Sequence, residues 1–592
     1  MRKFAKVLAL AMAIVFAAAS FAFPLTVSAE AAPSITVFPV DRATILAGAV
    51  VDFKVEVNNV GGAVDSFSVT LNGVDASEFL GKDFQEAATT RDGVYRMWSA
   101  VSFTQTGSVE VNVSAAGMSK TVVYDVLQAQ EKKAKNVILM IGDGLAQQTR
   151  TAARIVSKNL VEGKYNGYLN MDVMDVATIV TTSGLNSLVT DSANSASAYA
   201  TGHKTSNNAM GLYTFYPNDA DQVAPKVENI VELAKRAGMA TGLVTTSEIT
   251  DATPAAMFVH VPQRSKMASI VDQMLLDGQR PDVIMGGGAA WFWPQSTTGS
   301  KRADDRDAIT EFENLGYSIV GNAAELNALS ADTTQILGLF NSGNMSPYID
   351  KFIEQSPGVL GSYDNQPALF DMTQTAIDAL SKNENGFFLM VEGALIDKQE
   401  HAMDWERAVW DTIEFDKAVG VAKAFADQNG DTLVIVVADH SHSISVYGTL
   451  DNSKSGADKI QLYENAGYPT YTDSDGDGFP DEIITDVTLL IGWGNHPAYY
   501  EDFSYHATPS APAVIVDGVA VPNAQGRIAN KPILIPSNLT PDQSQEVHSA
   551  DDVTLVAYGA GSDYFTSTIT DNTQVFFAMI NALGLDPLNL SK

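Results

Sequence analysis

Between residues 34 and 126 the chain alternates apolar and polar positions with a period of two, which is typical of half-buried β-strands. The apolar positions of three such runs are Val51, Phe53, Val55 and Val57; Phe67, Val69 and Leu71; and Val109, Val111 and Val113. Turn signals such as Asn72-Gly73 separate the runs. The pattern predicts a small all-β, immunoglobulin-like sandwich at residues 33–127, followed by a polar linker at residues 128–135.

After the linker, short apolar runs alternate with segments of helical periodicity, which predicts an α/β fold with a mostly parallel central sheet and helices on both faces. The predicted strands include 136–141, 240–245, 282–285, 386–391, 432–438 and 553–557. Ligands of such sheets collect at the carboxyl ends of the strands. The polar residues that follow these runs are therefore the candidates for a functional site.

The first residues have the organisation of a secretory signal. Three basic residues, Arg2, Lys3 and Lys6, precede an apolar run that ends at Phe23, and small residues follow up to Ala29. We predict a signal peptide at residues 1–29, cleavage, and a secreted protein, either periplasmic or extracellular. The alternative is an uncleaved anchor, but the run is shorter than the roughly 20 residues that a membrane span needs. No second span follows in the sequence.

Composition narrows the possible partners and ligands. The chain has 592 residues, which is too long for one core, so at least two domains are expected. Its 37 basic and 70 acidic side chains give a net charge of -33, which argues against nucleic acid as a partner. Cysteine is absent, so disulfides are excluded and any metal must be held by histidine and carboxylate ligands.

Two candidate positions follow the first strands of the α/β region. Asp143 lies between two glycines directly after the run 136–141, although a Gly-Asp-Gly sequence is more often an ordinary turn. Ser192 follows Asp191 at the start of a helix of small residues, where the positive end of the helix favours an alkoxide and binds phosphate oxygens. Taken alone, Ser192 is better explained as a helix cap.

Two acid-histidine pairs indicate metal binding. Asp397 and His401 are four residues apart, so a helix would present both to one ion, and Glu392 ends the strand before them. Asp439 and His440 follow a fully apolar strand, where both need polar partners. His442, two residues further on, is predicted to orient a ligating carboxylate.

These segments together resemble the alkaline phosphatase family from about residue 136 to residue 592. The motifs that carry the resemblance are Asp191-Ser192-Ala193, Thr201-Gly202-His203-Lys204-Thr205, Asp251-Ala252-Thr253-Pro254-Ala255-Ala256, the stretch from Glu392 to His401, Asp439-His440 and Gln545-Glu546-Val547-His548. The resemblance implies an alkaline-phosphatase-like catalytic domain at 136–592 with a crown-like insertion at about 445–545. It also implies small phosphomonoester substrates, a phosphoserine intermediate on Ser192 and a homodimer.

The resemblance implies two zinc ions and one magnesium ion. The first zinc would be held by Asp397, His401 and His548, the second by Asp143, Asp439 and His440, and the magnesium by Asp143, Thr253 and Glu392.

By the same resemblance, Arg264 would clamp two phosphate oxygens. Asp251 and Lys398 resemble the arrangement of members with magnesium in the third site, with Asp251 acting through metal-bound water.

Several alternatives stay open. A phosphodiesterase or sulfatase of the same superfamily is the nearest, but no Cys/Ser-x-Pro-x-Arg run surrounds Ser192, as a sulfatase would need. A non-catalytic surface adhesion protein is the alternative from another class, favoured by the sandwich and by an acidic loop with the spacing of a calcium site. The candidate calcium ligands of that loop are Asp473, Asp475, Asp477 and Asp481; Ile484 stands where an EF-hand needs Glu.

Overall fold

This computed structural model describes residues 32–590 except 62, 63, 65, 162, 220 and 403 and most of 450–546. Within that last range only the short strands Leu489–Trp493, Tyr500–Glu501, Ala513–Val516, Val519–Pro522 and Ile533–Leu534 are described. The predicted signal peptide, most of the predicted crown-like insertion and the candidate calcium ligands Asp473, Asp475, Asp477 and Asp481 lie outside the described residues. Among the described residues, no helix is both long and apolar enough to cross a membrane.

The amino-terminal part contains two sheets that share one apolar core. The four-stranded sheet is antiparallel and consists, in spatial order, of Ser34–Phe38, Val51–Asn58, Gly93–Val101 and Gln85–Thr89. The five-stranded sheet consists of Thr44–Leu46, Met118–Leu127, Gly107–Ala115, Ser68–Leu71 and Val74–Asp75. Side chains at alternate positions, such as Val109, Val111 and Val113, are buried because successive residues of a strand point to opposite faces.

This amino-terminal part is not purely β, because a short helix, Ala76–Leu80, interrupts it. The side chain of Asp75 caps that helix by accepting a hydrogen bond from the backbone nitrogen of Ser77 at 2.9 Å. The period-two pattern predicted the strands but gave no sign of one helical turn between them. The immunoglobulin-like assignment stays a prediction.

The remainder of the chain is organised by a sheet of ten strands. In spatial order they are Ser318–Val320, Ile336–Leu339, Val283–Gly287, Ala240–Glu248, Phe387–Gly393, Asn136–Gly142, Thr432–Ala438, Val553–Gly559, Val176–Thr181 and Ile569–Asp571. The central strands are buried along their whole length because each has neighbours on both edges and helices over its faces. The α/β class is confirmed.

The sheet is mixed, and the prediction of a mostly parallel sheet missed one reversal. Val553–Gly559 runs antiparallel to both of its neighbours. The reason lies in the connection before it, where His442 pairs with His548 in a two-stranded ladder. Because this pairing returns the chain to the carboxyl edge that Thr432–Ala438 has just left, the next strand must start at that edge and run the opposite way.

Helices lie on both faces of the sheet. The connection from Ala240–Glu248 to Val283–Gly287 and the connection from Phe387–Gly393 to Thr432–Ala438 move in opposite directions along the strand order. Right-handed crossovers therefore place their helices on opposite faces. The α-helices described in this part of the chain are Gln147–Lys158, Ser192–Thr201, Ile230–Arg236, Ala252–Ala256, Met267–Met274, Ala308–Asn314, Ala323–Asn327, Tyr348–Phe352, Pro357–Leu360, Leu369–Leu380, Leu395–His401, Trp405–Asn429 and Thr573–Leu583.

The longest helix shows how the local sequence sets helix ends. Trp405–Asn429 begins after Asp404, whose side chain accepts a hydrogen bond from the backbone nitrogen of Arg407 at 3.1 Å. It ends at Asn429 because the next residue, Gly430, has a φ of 71° and so occupies the left-handed region that favours glycine. Short elements complete the fold: the strands Leu160–Val161, Lys164–Tyr165, Ser441–His442, Ile444–Thr449 and His548–Ser549, and the 3₁₀ turns Asn170–Asp172, Ala289–Trp291, Ser562–Tyr564 and Pro587–Asn589.

His260, whose side chain is only 7% exposed, joins two segments near the boundary between the amino-terminal sheets and the large sheet. Its Nδ1 lies 2.6 Å from the carbonyl oxygen of Gly211, and its Nε2 lies 3.0 Å from a carboxylate oxygen of Glu232. Both contacts favour a protonated ring because both partners accept. Burial lowers the pKa of His260 and the charge of Lys226 opposes protonation, but Glu232 and Gly211 outweigh them and raise the pKa above 6.5.

We predict that His260 makes stability depend on pH. Because the pKa is higher in the folded chain, the stabilising contribution is fully present below pH 6.5 and is lost as pH rises through the raised pKa. Substituting His260→Gln should remove this component. Melting temperatures of both proteins over a pH series measure it, and identical pH profiles for wild type and variant would contradict the prediction.

Candidate metal centre and nucleophile

The serine predicted as a nucleophile is the first residue of a helix and is almost fully buried. In Ser192–Thr201, the cap Asp191 accepts hydrogen bonds from the backbone nitrogens of Ala193 at 2.7 Å and Asn194 at 3.2 Å. The side chain of Asn194 returns a contact to the backbone nitrogen of Asp191 at 3.0 Å, which completes a capping box. Asp191 is therefore the cap, so the adjacent hydroxyl of Ser192 is not used for capping.

Three carboxylates meet at the carboxyl edge of the sheet because their strands are adjacent and parallel. The strand Asn136–Gly142 lies between the other two, with Ile141 opposite Glu392 and Gly142 opposite Ala438. Asp143 and Asp439 each follow directly on their strands. Strand order thus brings Asp143 together with two acids that lie more than 200 residues further along the chain.

The hydroxyl of Ser192 points into this edge. Its Oγ lies 3.4 Å from Oδ1 of Asp143 and 3.3 Å from Nε2 of His440. The same Nε2 lies 3.2 Å from Oδ1 of Asp143. Burial, and then the neighbouring His548, lowers the pKa of His440 to about 4, so the ring is neutral near pH 7 and can donate a lone pair to a metal.

One group of possible ligands surrounds Asp397. Nε2 of His442 lies 2.7 Å from its Oδ1, and Nε2 of both His401 and His548 lies 3.3 Å from the same atom. The ligand atoms of these four residues all lie within 4.8 Å of one another. Nδ1 of His548 donates to the carbonyl oxygen of Thr190 at 2.8 Å, which leaves the lone pair of a neutral ring on Nε2.

A second group consists of Asp143, Asp397 and His440, and Asp439 lies beside it. Oδ1 of Asp439 accepts hydrogen bonds from the backbone nitrogens of Gly144 and His440, each at 3.0 Å. Its Oδ2 is buried and has no hydrogen-bond partner among the described residues. Burial, and then the charge of Asp143, raises the pKa of Asp439 well above its usual range.

A third set of oxygens belongs to Glu392 and Thr253. Glu392 accepts a hydrogen bond from Oγ1 of Thr245 at 2.5 Å, and its pKa is raised by burial and then by the charge of Asp143. The hydroxyl of Thr253 is buried and has no hydrogen-bond partner within the described part of the chain. An unpartnered hydroxyl and a buried acid are the hard oxygen donors that suit magnesium.

Two cations approach the site from the side of Asp251. Nη2 of Arg264 lies 2.6 Å from one carboxylate oxygen of Asp251, and Nζ of Lys398 lies 2.8 Å from the other. Burial disfavours all three charges, but their mutual attraction lowers the pKa of Asp251 and raises the pKa values of Lys398 and Arg264. All three groups are therefore charged near neutral pH.

The buried acids of the site outnumber its cationic side chains, which bears on whether the residues fit divalent ions. Asp143, Glu392, Asp397 and Asp439 are all nearly inaccessible to solvent. Lys398 and Arg264 are both engaged with Asp251. Buried carboxylates without cations are strongly unfavourable, whereas neutral imidazoles beside carboxylates are the ligands that zinc prefers. The donor set and its unpartnered oxygens fit bound divalent metals.

Several supporting contacts were missed from the sequence. Oγ of Ser195 donates to the carbonyl oxygen of Asp439 at 2.6 Å, and the hydroxyl of Tyr199 donates to that of Ala438 at 2.7 Å. Oγ1 of Thr246 accepts from the backbone nitrogens of Ala394 at 3.0 Å and Leu395 at 3.2 Å, at the start of the helix that bears Asp397. The four-residue spacing of Ser195 and Tyr199 on one helix face was the only available signal.

An α/β sheet whose carboxyl edge gathers buried acids, imidazoles and a helix-terminal serine has the arrangement expected of a metal-dependent hydrolase. The alkaline phosphatase family model matches residues 134–585. The chain belongs to this family of phosphomonoesterases, as the sequence motifs predicted.

Similar proteins agree with the family match. The chain is 35% identical over 407 residues to alkaline phosphatase of Escherichia coli (strain K12), covering 60% of this chain and 83% of the relative. It is 38% identical over 381 residues to alkaline phosphatase H of Pseudomonas aeruginosa (strain UCBPP-PA14), covering 56% of this chain and 76% of the relative.

Solved structures are similar in fold. A TAB5 alkaline phosphatase mutant has a TM-score of 0.51 and 25% identity, with coverage of 77% of this chain and 99% of the other. Thermus thermophilus alkaline phosphatase has a TM-score of 0.54, 24% identity and coverage of 77% and 93%.

We predict that Gly144→Ala damages the site through His442. Gly144 has a φ of +65°, and an added Cβ would lie 2.4 Å from Cδ2 of His442. Gly81 is a matched control, since it has a φ of +63° but no atom within 4 Å of an added Cβ. The left-handed conformation costs both variants about 1–2 kcal/mol. Unfolding by denaturant should show a larger loss for Gly144→Ala, and equal losses would contradict the prediction.

Proposed function

We propose that this protein hydrolyses small phosphate monoesters to an alcohol and inorganic phosphate through a phosphoserine on Ser192. The observation that carries the proposal is the position of the Ser192 hydroxyl, which lies within 3.4 Å of both Asp143 and His440 at the amino end of a helix. A nucleophile needs an environment that favours its ionised form, and this helix end also attracts phosphate oxygens.

We infer that three metals occupy the site. The first zinc takes Asp397, His401 and His548, the second takes Asp143, Asp439 and His440, and the magnesium takes Asp143, Glu392 and Thr253. When bound, these ions supply Lewis-acid charge that favours ionised oxygen nucleophiles and neutralises a departing oxyanion. The similar TAB5 mutant is described with magnesium bound in its M3 site, which supports the magnesium assignment.

Side chains of this protein form the bond to phosphorus, bind the phosphate and orient the metal ligands. The oxygen of Ser192 loses its proton and forms the new bond to phosphorus, while the bond to the alcohol oxygen breaks and that oxygen takes up a proton; water then attacks phosphorus, the bond to Ser192 breaks, and the serine oxygen regains a proton. Arg264 turns its guanidinium towards the phosphate while Asp251 holds it at 2.6 Å. His442 orients Asp397 through its hydrogen bond of 2.7 Å, and Lys398 adds a positive charge beside Asp251.

The proposal extends to organisation and location. Residues 1–29 would act as a signal peptide for a secreted protein, 33–127 as an immunoglobulin-like domain, 128–135 as a linker, and 136–592 as the catalytic domain. Asp473, Asp475, Asp477 and Asp481 would bind calcium, and the protein would form a homodimer.

Relative rates on a phosphomonoester, a phosphodiester and a sulfate ester distinguish this function from the diesterase and sulfatase alternatives.

We predict that Ser192→Ala abolishes turnover of a simple aryl phosphate, because the residue that accepts the phosphoryl group is lost. The variant should keep its bound metals, as measured by elemental analysis, since the ligands are unchanged. Ser187→Ala, five residues upstream and outside the proposed machinery, is the control and should retain activity. Turnover by Ser192→Ala near the wild-type rate would refute the nucleophile assignment.

We predict that a chelator lowers both activity and melting temperature. Removing cations leaves buried carboxylates facing one another, which destabilises the fold as well as the chemistry. Adding zinc and magnesium together should restore both quantities, whereas sodium at equal ionic strength should restore neither. Full activity after exhaustive dialysis, with metal absent by elemental analysis, would exclude the metal assignment.

A further inference from the structure

A segment of the catalytic part, residues 206–219 and 221–228, also belongs to the sandwich; we name it the joining segment. Tyr213 and Val227 are buried in the apolar core of the sandwich, with exposed fractions of 0% and 5%. The ring of Phe38, on the first sandwich strand, lies 5.8 Å from the ring of Tyr213, centroid to centroid. The core of the sandwich is therefore incomplete without this segment.

The backbone of the joining segment also pairs with the sandwich. Val227 bridges to Val51 in antiparallel register, at the start of the strand Val51–Asn58. Asp52 donates its backbone nitrogen to the carbonyl oxygen of Lys226 at 2.9 Å, and its carboxylate accepts from the backbone nitrogen of Lys226 at 3.0 Å. The backbone nitrogen of Glu228 donates to the carbonyl oxygen of Val50 at 2.9 Å. The sandwich thus fixes one end of the segment in register.

A buried charge holds the turn of the joining segment. Nζ of Lys54 donates to the carbonyl oxygen of Val223 at 2.5 Å and to a carboxylate oxygen of Glu56 at 2.5 Å. The exposed fractions of Lys54 and Glu56 are 1% and 2%, so this charge pair is desolvated. A buried ammonium must keep its acceptors, which restricts where Val223 can lie.

The other end of the joining segment contacts the cap of the nucleophile helix. The backbone nitrogen of Asn208 donates to Oδ2 of Asp191 at 2.7 Å. The other carboxylate oxygen of Asp191 accepts from the first turn of the helix that begins at Ser192. The backbone nitrogen of Gly211 donates to Oγ of Ser197 at 3.0 Å, on the same helix.

The same few residues hold the loop that bears Arg264. The backbone nitrogen of Arg264 donates to the carbonyl oxygen of Asn208 at 2.8 Å. Met210 and Val261 exchange two backbone hydrogen bonds, each 2.9 Å long. Residues 208–211 therefore contact both the helix of the proposed nucleophile and the loop of the proposed phosphate clamp.

We propose that the amino-terminal sandwich positions the phosphate-binding end of the active site, acting through the joining segment on Ser192 and Arg264. The proposal rests on the function proposed above for these two residues. Asn208 is the positioning residue, since its backbone nitrogen and carbonyl oxygen connect the two. The sandwich thus supports the catalytic site through the joining segment, in addition to any role as a binding domain.

The geometry of phosphoryl transfer explains why such support matters. The attacking oxygen and the guanidinium must contact one phosphate at the same time, and the hydrogen bonds of the guanidinium to the phosphate depend on its exact position. Loosening the joining segment would let Arg264 move relative to Ser192. Because a clamp acts mainly on bound phosphate, KM and the affinity for inorganic phosphate should change more than kcat.

The test compares two substitutions of the same size. Val227→Ala removes two methyl groups where the joining segment enters the sandwich core, and Val111→Ala removes them from the other sheet, opposite Leu71 and Val122. With an aryl phosphate, Val227→Ala should lower kcat/KM by about tenfold, mainly through KM, and weaken inhibition by inorganic phosphate in parallel. Val111→Ala should stay within about twofold of wild type.

A merely destabilised enzyme would lose active molecules, which lowers apparent kcat and leaves KM unchanged. Both variants are therefore assayed below their melting temperatures. If Val227→Ala keeps the KM and phosphate affinity of Val111→Ala, the proposal is overturned.

Amide hydrogen exchange gives a second measurement that needs no activity. Val227→Ala should speed exchange in residues 206–212 and 262–266 relative to Val111→Ala, because Asn208 and Arg264 are bonded there. Equal exchange in these peptides overturns the proposal even if the enzyme is active. A wild-type protein without phosphomonoesterase turnover refutes the proposed function instead, and the exchange result still decides whether the sandwich holds the segment.

Discussion

The structure depends on one electrostatic constraint, which is the burial of several carboxylates at the carboxyl edge of a parallel sheet. Asp143, Glu392 and Asp439 arrive there on three adjacent strands, and Asp397 follows on the next helix. Burial, and then the repulsion between their charges, raises the pKa values of Glu392 and Asp439. Bound cations would relieve this repulsion, which agrees with the divalent metal ions that membership of the alkaline phosphatase family implies.

Other features of the molecule position residues at this edge. The capping box of Asp191 frees the hydroxyl of Ser192, and the pairing of His442 with His548 returns a distant histidine to the site. That return also reverses the direction of the strand Val553–Gly559, so the one antiparallel strand of the sheet and one ligand candidate have a common origin. The joining segment contacts both this edge and the apolar core of the amino-terminal part, so the two parts share packing and hydrogen bonds.

Sequence reasoning succeeded where the signal was local. The apolar runs predicted the strands, the spacing of Asp397 and His401 predicted a shared helix face, and the ordered motifs predicted the family that the comparison confirms. It failed where the cause was distant. No local pattern was strong enough to predict the short helix Ala76–Leu80 or the reversed strand. The same holds for the hydroxyls of Ser195 and Tyr199, which donate to the carbonyl oxygens of Asp439 and Ala438.

The sequence by itself determined the class of fold, the family and the residue types available for chemistry. Strand periodicity, helix caps and contiguous motifs each depend only on residues that lie close together in the sequence. Only the tertiary structure decided that Tyr213 and Val227 complete the sandwich core and that Asn208 joins Asp191 to Arg264. Neither contact leaves a periodic trace, since each joins residues from separate elements. Long-range packing alone sets such distances, which is why the coupling between the two parts emerges only when the chain is folded.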